Sequence, residues 1–420
     1  MEISNEILRC REEKSNLIKK YINDYQVITL KANVVGNNKC IKEAYILLSY
    51  FDKLIEKYSI EKKVLDNLDG PTIVYLCNKS ICLKETMVLY EENDKLGRFV
   101  DIDVYYNSIN SINRNKLRKC YLCEKPAFVC GRNKSHSQEE ILDYIKQNVL
   151  DNLVNIINNL CDHSIMEELN LHPKFGLVTP YTNGSHKDMD FNLMIKAKEA
   201  IIPYFKKMFF EGYENPDLNL VFKKIRKIGI EAENAMFLST NAINAYKGLI
   251  FALGLIVTSV AIKLSNLKSN QTCFDFIKIM TNGISKEIEN GNETIGKIAY
   301  QKYKLKGARH QAENGFLDIQ NIIKNFELNS NDSKMKALCN LIINIDDTVL
   351  YKRCNDINLY YEVKEKFKKL LNNDISIEEL NDYCINNNLS FGGSADLLIV
   401  SIFIKKIEEL FNLNLFNDIN

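Results

Sequence analysis

The side-chain pattern changes at Ser137-Gln138-Glu139-Glu140, and this change restricts the fold more than any other feature of the chain. A serine followed three residues later by glutamate, ahead of an apolar-periodic run, is a capping box; it predicts a helix to about residue 161. Before it, short β-prone runs at 26–35, 72–76, 85–90 and 98–105 alternate with turns. Two amphipathic helices are predicted among them, over 2–24 and 40–56. After it the periodicity is almost wholly helical, with helices predicted over 191–212, 219–238, 241–265, 273–282, 334–350, 359–371, 377–386 and 395–411. The expectation is an α+β domain over 1–146 followed by a larger all-α domain over 147–420. A length of 420 residues accommodates both.

Composition excludes several classes. Lys and Arg number 55 against 54 Asp and Glu, so no net positive charge draws the chain to nucleic acid or a membrane surface. Neither part is a charged module: there are 24 basic and 21 acidic residues up to 150, and 31 and 33 beyond it. The longest apolar stretch, 248–262, is shorter than the roughly 20 residues that span a bilayer, and is predicted to be a buried helix. The polar start Met1-Glu2-Ile3-Ser4 carries no secretory or transit pattern, which points to the cytoplasm. There the twelve cysteines are reduced thiols rather than a disulfide framework.

In the first part, Gly97-Arg98-Phe99-Val100-Asp101-Ile102-Asp103-Val104 carries the sharpest signal. On a strand Asp101 and Asp103 share a face, which suits Mg²⁺ on a substrate phosphate; an edge strand with two solvated acids is the plainer account. Asn33–Lys39 is a turn entering a helix, with Gly36 and one lysine, and suits a phosphate. Cys120-x2-Cys123-x6-Cys130-x5-His136 has the spacing of a structural zinc set, or of small buried thiols beside a phosphate-binding Arg132 and His136.

These residues, with Arg114, Arg118 and Ala127, make 5–145 resemble the apo-citrate lyase phosphoribosyl-dephospho-CoA transferase family. Val35 stands where that family favours proline. The resemblance implies a nucleotidyltransferase-like mixed sheet with helices. It also implies attachment of a CoA-derived group to a serine of the citrate lyase acyl-carrier subunit, with release of pyrophosphate. Asp101 and Asp103 would hold Mg²⁺, and Lys39, Arg98, Arg132 and His136 would contact phosphate. Under it the zinc set at Cys120, Cys123, Cys130 and His136 is the less favoured account of those residues.

In the second part, Gly184-Ser185-His186-Lys187-Asp188-Met189-Asp190 crowds ionisable groups before a helix, which in a core requires pairing or a ligand. Lys247 heads the apolar helix. Arg309 and Glu313 lie four apart on one helical face. Asp346 and Asp347 sit inside a predicted apolar helix, with Arg353 beyond. Gly392-Gly393-Ser394 precedes another helix and suits an anion or a simple cap.

Together with Pro173-Lys174-x-Gly176, Gly229–Glu233 and Ser394-Ala395-Asp396, these segments resemble the all-helical triphosphoribosyl-dephospho-CoA synthase family over about 150–410. That family joins ATP and dephospho-CoA and releases adenine. The chain departs from it with Phe175 and Phe391 for proline, Thr179 for aspartate, Tyr246 for histidine, and Asn241-Ala242 for a glycine pair. The resemblance implies Mg²⁺-triphosphate on Asp346, Asp347 and Asp396, with substrate contacts from Lys174, His186, Lys247, Arg309, Arg353, Gly392, Gly393 and Ser394. It offers Asp188, Asp190 or Glu233 as base or as stabiliser of the developing cationic sugar. The two resemblances form consecutive reactions. A malonate decarboxylase carrier protein as partner and a non-catalytic helical part stay open as alternatives. A zinc-dependent nucleic-acid binder is disfavoured by the near-zero charge.

Overall fold

The chain divides into two compact units, Met1–Asn155 with Glu409–Leu413, and Ile156–Glu408 with Asn414–Asn420. The computed structural model describes residues 2–114, 117–287 and 295–416.

In the first unit, β1 (Gln26–Ala32), β2 (Ser59–Leu65), β3 (Thr72–Cys77) and β4 (Val100–Tyr105) form one sheet in the order β2-β3-β1-β4, every pairing antiparallel. Alternation gives each face its own set. Ile28, Leu30, Tyr75, Ile102 and Val104 are buried on one. There the Tyr75 hydroxyl donates to Asp52 of α2 (Lys42–Ile55), 2.9 Å away. On the other face Val27, Val74, Leu76 and Tyr105 pack with Ile18 of α1 (Glu2–Tyr21) and with Ile22. The ladder pairs Thr29 with Asp103 and Lys31 with Asp101, so the far end of this second face is polar.

The strand predicted at 85–90 is instead α3 (Lys84–Asn93). Its buried positions, Lys84, Met87 and Glu91, have helical spacing, but two of the three are charged, and this hides the period from a hydrophobicity pattern. β2 escapes prediction because it is a largely exposed edge strand with Glu61, Lys62 and Lys63 along it. After α4 (Ala127–Asn133) comes α5 (Gln138–Leu169). Its capping box is formed: Ser137 N–H donates to Glu140 at 2.8 Å, and Glu140 N–H donates to the Ser137 hydroxyl at 3.1 Å.

The second unit is helical. α8 (Lys247–Ser265) is long and apolar enough to cross a membrane by length and composition alone, yet 83% of its apolar window is buried within the structure. It packs against α6 (Phe191–Glu214), α7 (Leu218–Ser239) and α9 (Cys273–Met280), the burial of a core helix. Two predicted helices are shortened. Residues 241–246 form a turn, with positive φ at Asn241 and Ala242. The helix predicted over 334–350 is broken between Asn331–Asn344 and Thr348–Cys354, where Ile345 is extended (φ −83°, ψ 155°). Asp346 and Asp347 therefore lie between helices, not within one, because Asp347 caps the second of them.

Candidate active sites

In the first unit the polar end of the sheet gathers charge. Lys31 stands opposite Asp101 on the ladder and makes an ion pair with Asp69. Lys39 reaches the same carboxylate at 2.8 Å, and Arg11 of α1 reaches it at 3.2 Å. Burial pushes the Asp69 carboxyl up, but the hydrogen bonds from Lys31 and Lys39 outweigh it and hold the pKa at about 2. Asp103 is raised by burial, then by the neighbouring Asp101 charge, against Lys14, Lys84 and the Ser111 hydroxyl. Burial lowers Lys84, with Asp103 opposing.

Glu91, buried at the back of β4, accepts from Ile102 N–H at 2.8 Å and pairs with both Arg114 and Arg118. Arg118 also donates to the Val100 carbonyl at 2.7 Å and lies 3.6 Å from Asp101.

Of the residues predicted here, Asp101, Asp103 and Lys39 come together at this end of the sheet. Arg98 turns to Cys120, donating to its carbonyl at 3.1 Å, with its guanidinium 5.0 Å from the centre of the Tyr121 ring. Arg132 is exposed on α4, beside Phe128. His136 lies against Cys123, with Nε2 3.4 Å from Sγ. Lys31, Asp69, Lys84 and Glu91 were missed. Only Lys31, a lone cation in an apolar strand run, signalled itself in the sequence.

In the second unit most predicted residues line one cavity of about 1050 Å³, at the large end of small-molecule sites and roomy enough for two nucleotide-sized substrates. Lys174, His186, Asp188, Lys247, Asp346, Asp347, Arg353, Gly392, Gly393 and Asp396 all contribute to its wall. α8 and the helix Gly392–Leu410 both begin at its wall, bringing the positive ends of their dipoles to the space. The loop that supplies His186 is closed by Ser185 N–H donating to Gly176 O at 2.8 Å. Gly184, at φ +58°, is needed because a Cβ there would overlap the Gly176 carbonyl.

His186 Nδ1 is 3.1 Å from an Arg353 nitrogen, which can only donate. Nδ1 therefore accepts, Nε2 carries the proton, and Nε2–H donates to the Ser390 hydroxyl at 2.9 Å. Burial first, then the Arg353 charge, push the imidazole down to about 4, only partly opposed by Asp188.

Below it lies a buried pair: Lys174 Nζ donates to the Glu168 carboxylate at 2.7 Å and to the Glu168 carbonyl at 2.9 Å. Burial lowers the Lys174 pKa against the pull of Glu168. Asp396 is half-buried at the cavity wall, and burial, then Asp347 and Glu168, raise its carboxyl well above the usual range. The buried Tyr246 hydroxyl, near Glu168 and Asp396, has no hydrogen-bond partner among the described residues. Asp347 is held on both oxygens, by Val349 and Leu350 N–H on one and by Ser394 N–H and hydroxyl (each 2.9 Å) on the other. Asp346 accepts from Lys306 N–H at 2.7 Å.

Four predicted residues do not line this cavity. Asp190 caps α6 through Leu193 N–H at 2.7 Å. Glu233 and Arg309 line a smaller space of about 280 Å³. Lys247 borders both spaces and pairs with Glu233 at 2.8 Å. Ser394, buried, acts through Asp347. Glu168 was missed because it lies inside a long helix with no motif around it.

Two family models match the chain: apo-citrate lyase phosphoribosyl-dephospho-CoA transferase over residues 3–152, and ATP:dephospho-CoA triphosphoribosyl transferase over 155–415. Protein CitXG of Leuconostoc mesenteroides subsp. cremoris is 31% identical, covering 83% of each chain. Protein CitXG of Haemophilus influenzae is 30% identical, covering 94% of each. The 2-(5''-triphosphoribosyl)-3'-dephosphocoenzyme-A synthase of Haemophilus ducreyi is 32% identical, over 67% of this chain and 98% of its own. The chain thus belongs to the ATP:dephospho-CoA triphosphoribosyl transferase family, preceded by a domain of the apo-citrate lyase phosphoribosyl-dephospho-CoA transferase family.

Proposed function

We propose that the helical unit joins ATP to dephospho-CoA, releasing adenine, and that the first unit transfers phosphoribosyl-dephospho-CoA from that product to a serine of the citrate lyase acyl-carrier subunit, releasing pyrophosphate. The carrying observation is the 1050 Å³ cavity in which buried carboxylates, Lys247, Arg353 and two helix N-termini meet. Such a site binds a polyphosphate and a second substrate together.

In the synthase step a dephospho-CoA ribose hydroxyl forms a bond to the ribose carbon of ATP that bears adenine, and the bond to adenine breaks. Lys247 and Arg353 counter triphosphate charge. Neutral His186 holds Arg353 in place, and Asp188, at the exposed edge of the wall, takes the hydroxyl proton. The donor set fits a divalent cation: Asp396, at the cavity wall, is crowded by Asp347 and Glu168, like charges that a cation relieves. Asp346, Asp347 and Asp396 would hold Mg²⁺, which supplies charge neutralisation to the triphosphate.

In the transferase step the carrier serine attacks the α-phosphate and the bond to pyrophosphate breaks. Asp101 and Asp103 fit Mg²⁺ for the same reason, since burial and then the Asp101 charge disfavour the charged form of Asp103. Lys39, Lys31 and Lys84 meet phosphate from the same face, and Arg98 from its edge. The reading puts the chain in the cytoplasm, where ATP and dephospho-CoA are available, and the free thiols of its cysteines suit that compartment.

The test is incubation of the purified chain with ATP, dephospho-CoA and Mg²⁺, with adenine followed by chromatography. Apo acyl-carrier subunit is then added and its mass measured. Adenine release and a carrier mass gain with pyrophosphate are expected. No adenine overturns the synthase assignment, and labelling of a malonate decarboxylase carrier alone reassigns the partner.

A further inference from the structure

We propose that Cys120, Cys123, Cys130 and His136 bind one structural Zn²⁺, which holds the arginine-bearing loop of the transferase unit against β4. One ligand atom from each of the four lies within 4.8 Å of every other. Cys123 Sγ is 3.4 Å from Cys130 Sγ and 3.4 Å from His136 Nε2. Around a tetrahedral zinc with bonds of about 2.3 Å to sulfur and about 2.0 Å to nitrogen, ligand atoms lie about 3.5–3.8 Å apart. Three soft sulfurs and one imidazole select zinc over Mg²⁺ or Ca²⁺.

The surroundings argue against three thiols and a ring merely filling a core. Across 117–136 the buried residues are Cys120 and Cys130, while Leu117, Leu122 and Phe128 are exposed. A segment without a core needs another staple. Its backbone closes a tight hairpin around Cys123. Cys120 N–H donates to Lys125 O, and Ala127 N–H to Arg118 O, each at 2.8 Å. Three thiols release their protons to solvent as the ion binds, and His136 ligates as the neutral ring.

The loop carries function. Arg118 reaches Asp101 and Glu91, Arg98 donates to the Cys120 carbonyl, and the Tyr121 hydroxyl donates to the Arg98 carbonyl at 3.0 Å. Loosening the clasp frees Arg98 and Arg118 together, at the phosphate face of the transferase.

Elemental analysis of the full chain, purified without chelator, tests the assignment. One zinc per chain is expected in the parent and in a Cys82→Ser control, and less than about a tenth of that in Cys123→Ser and His136→Asn. Should a variant fail to fold, parent chain produced in Co²⁺ is expected to show the visible absorption of four-coordinate cobalt with sulfur-to-cobalt charge transfer. With triphosphoribosyl-dephospho-CoA supplied, the zinc-free variants are expected to show a transferase KM raised about tenfold and unchanged adenine release. Absence of zinc, a Cys123–Cys130 disulfide by mass spectrometry, iron in place of zinc, or zinc retained by both variants would each overturn it.

Discussion

His186 is tied on both ring nitrogens, and its neutrality is a stability term with a definite sign. The folded pKa of about 4 lies below the ordinary imidazole value of 6.5. Between those values the unfolded chain binds more protons, so this contribution is complete above about pH 6.5, declines as pH falls, and is spent below about pH 4. Its ceiling is about 3 kcal/mol at about 1.4 kcal/mol per pKa unit. His186→Asn is expected to flatten the fall in denaturation midpoint between pH 7 and 5, measured by urea titration at each pH. At the other site, Asp101→Asn removes one of the two carboxylates proposed to hold Mg²⁺. A fall in carrier modification of at least about a hundredfold, with adenine release intact, is expected by mass spectrometry and chromatography. Full-rate modification by this variant would remove Asp101 from the site.

Elements position these residues, and their ends matter most. Gly248 is the second residue of α8, and a Cβ there would overlap an Asp396 carboxylate oxygen. In Gly248→Ala the gain in helix propensity, about 1 kcal/mol, offsets much of the crowding. Thermal stability should therefore shift little, while adenine release falls at least about tenfold as Asp396 is turned aside. Ser137→Ala removes one half of a formed capping box and is expected to cost about 1 kcal/mol by chemical denaturation.

The capping box, the strand bearing Asp101 and Asp103, and the core helix α8 were legible in sequence because each rests on local pattern or period. α3 was not, since its buried face is carried by Lys84 and Glu91, whose partners lie far along the chain. The break at Asp346-Asp347 was not legible either: apolar periodicity on both sides masks a cap whose other half is Ser394. Most residues of the second set gather at one cavity because each sits in a local motif, whereas Glu168, the partner of Lys174 at that wall, has no motif to announce it.

At the scale of the molecule the two chemistries occupy separate units, so single substitutions should separate them. Asp396→Asn is expected to abolish adenine release yet leave transfer from supplied triphosphoribosyl-dephospho-CoA, the converse of Asp101→Asn. The units are not, however, two successive lengths of chain. Glu409–Leu413 belongs to the first unit. Asn412 N–H donates to Ser49 O at 3.1 Å, and its amide donates to both Asp52 and Glu56 at 2.7 Å. The Phe411 ring meets Tyr50 edge-on at 5.7 Å. During translation, at about 5–20 residues per second, roughly 13–50 s separate the emergence of residue 155 from that of residue 413. The part of the first unit made earliest therefore waits, unfinished at Asp52 and Glu56, until Phe411 and Asn412 have left the ribosome.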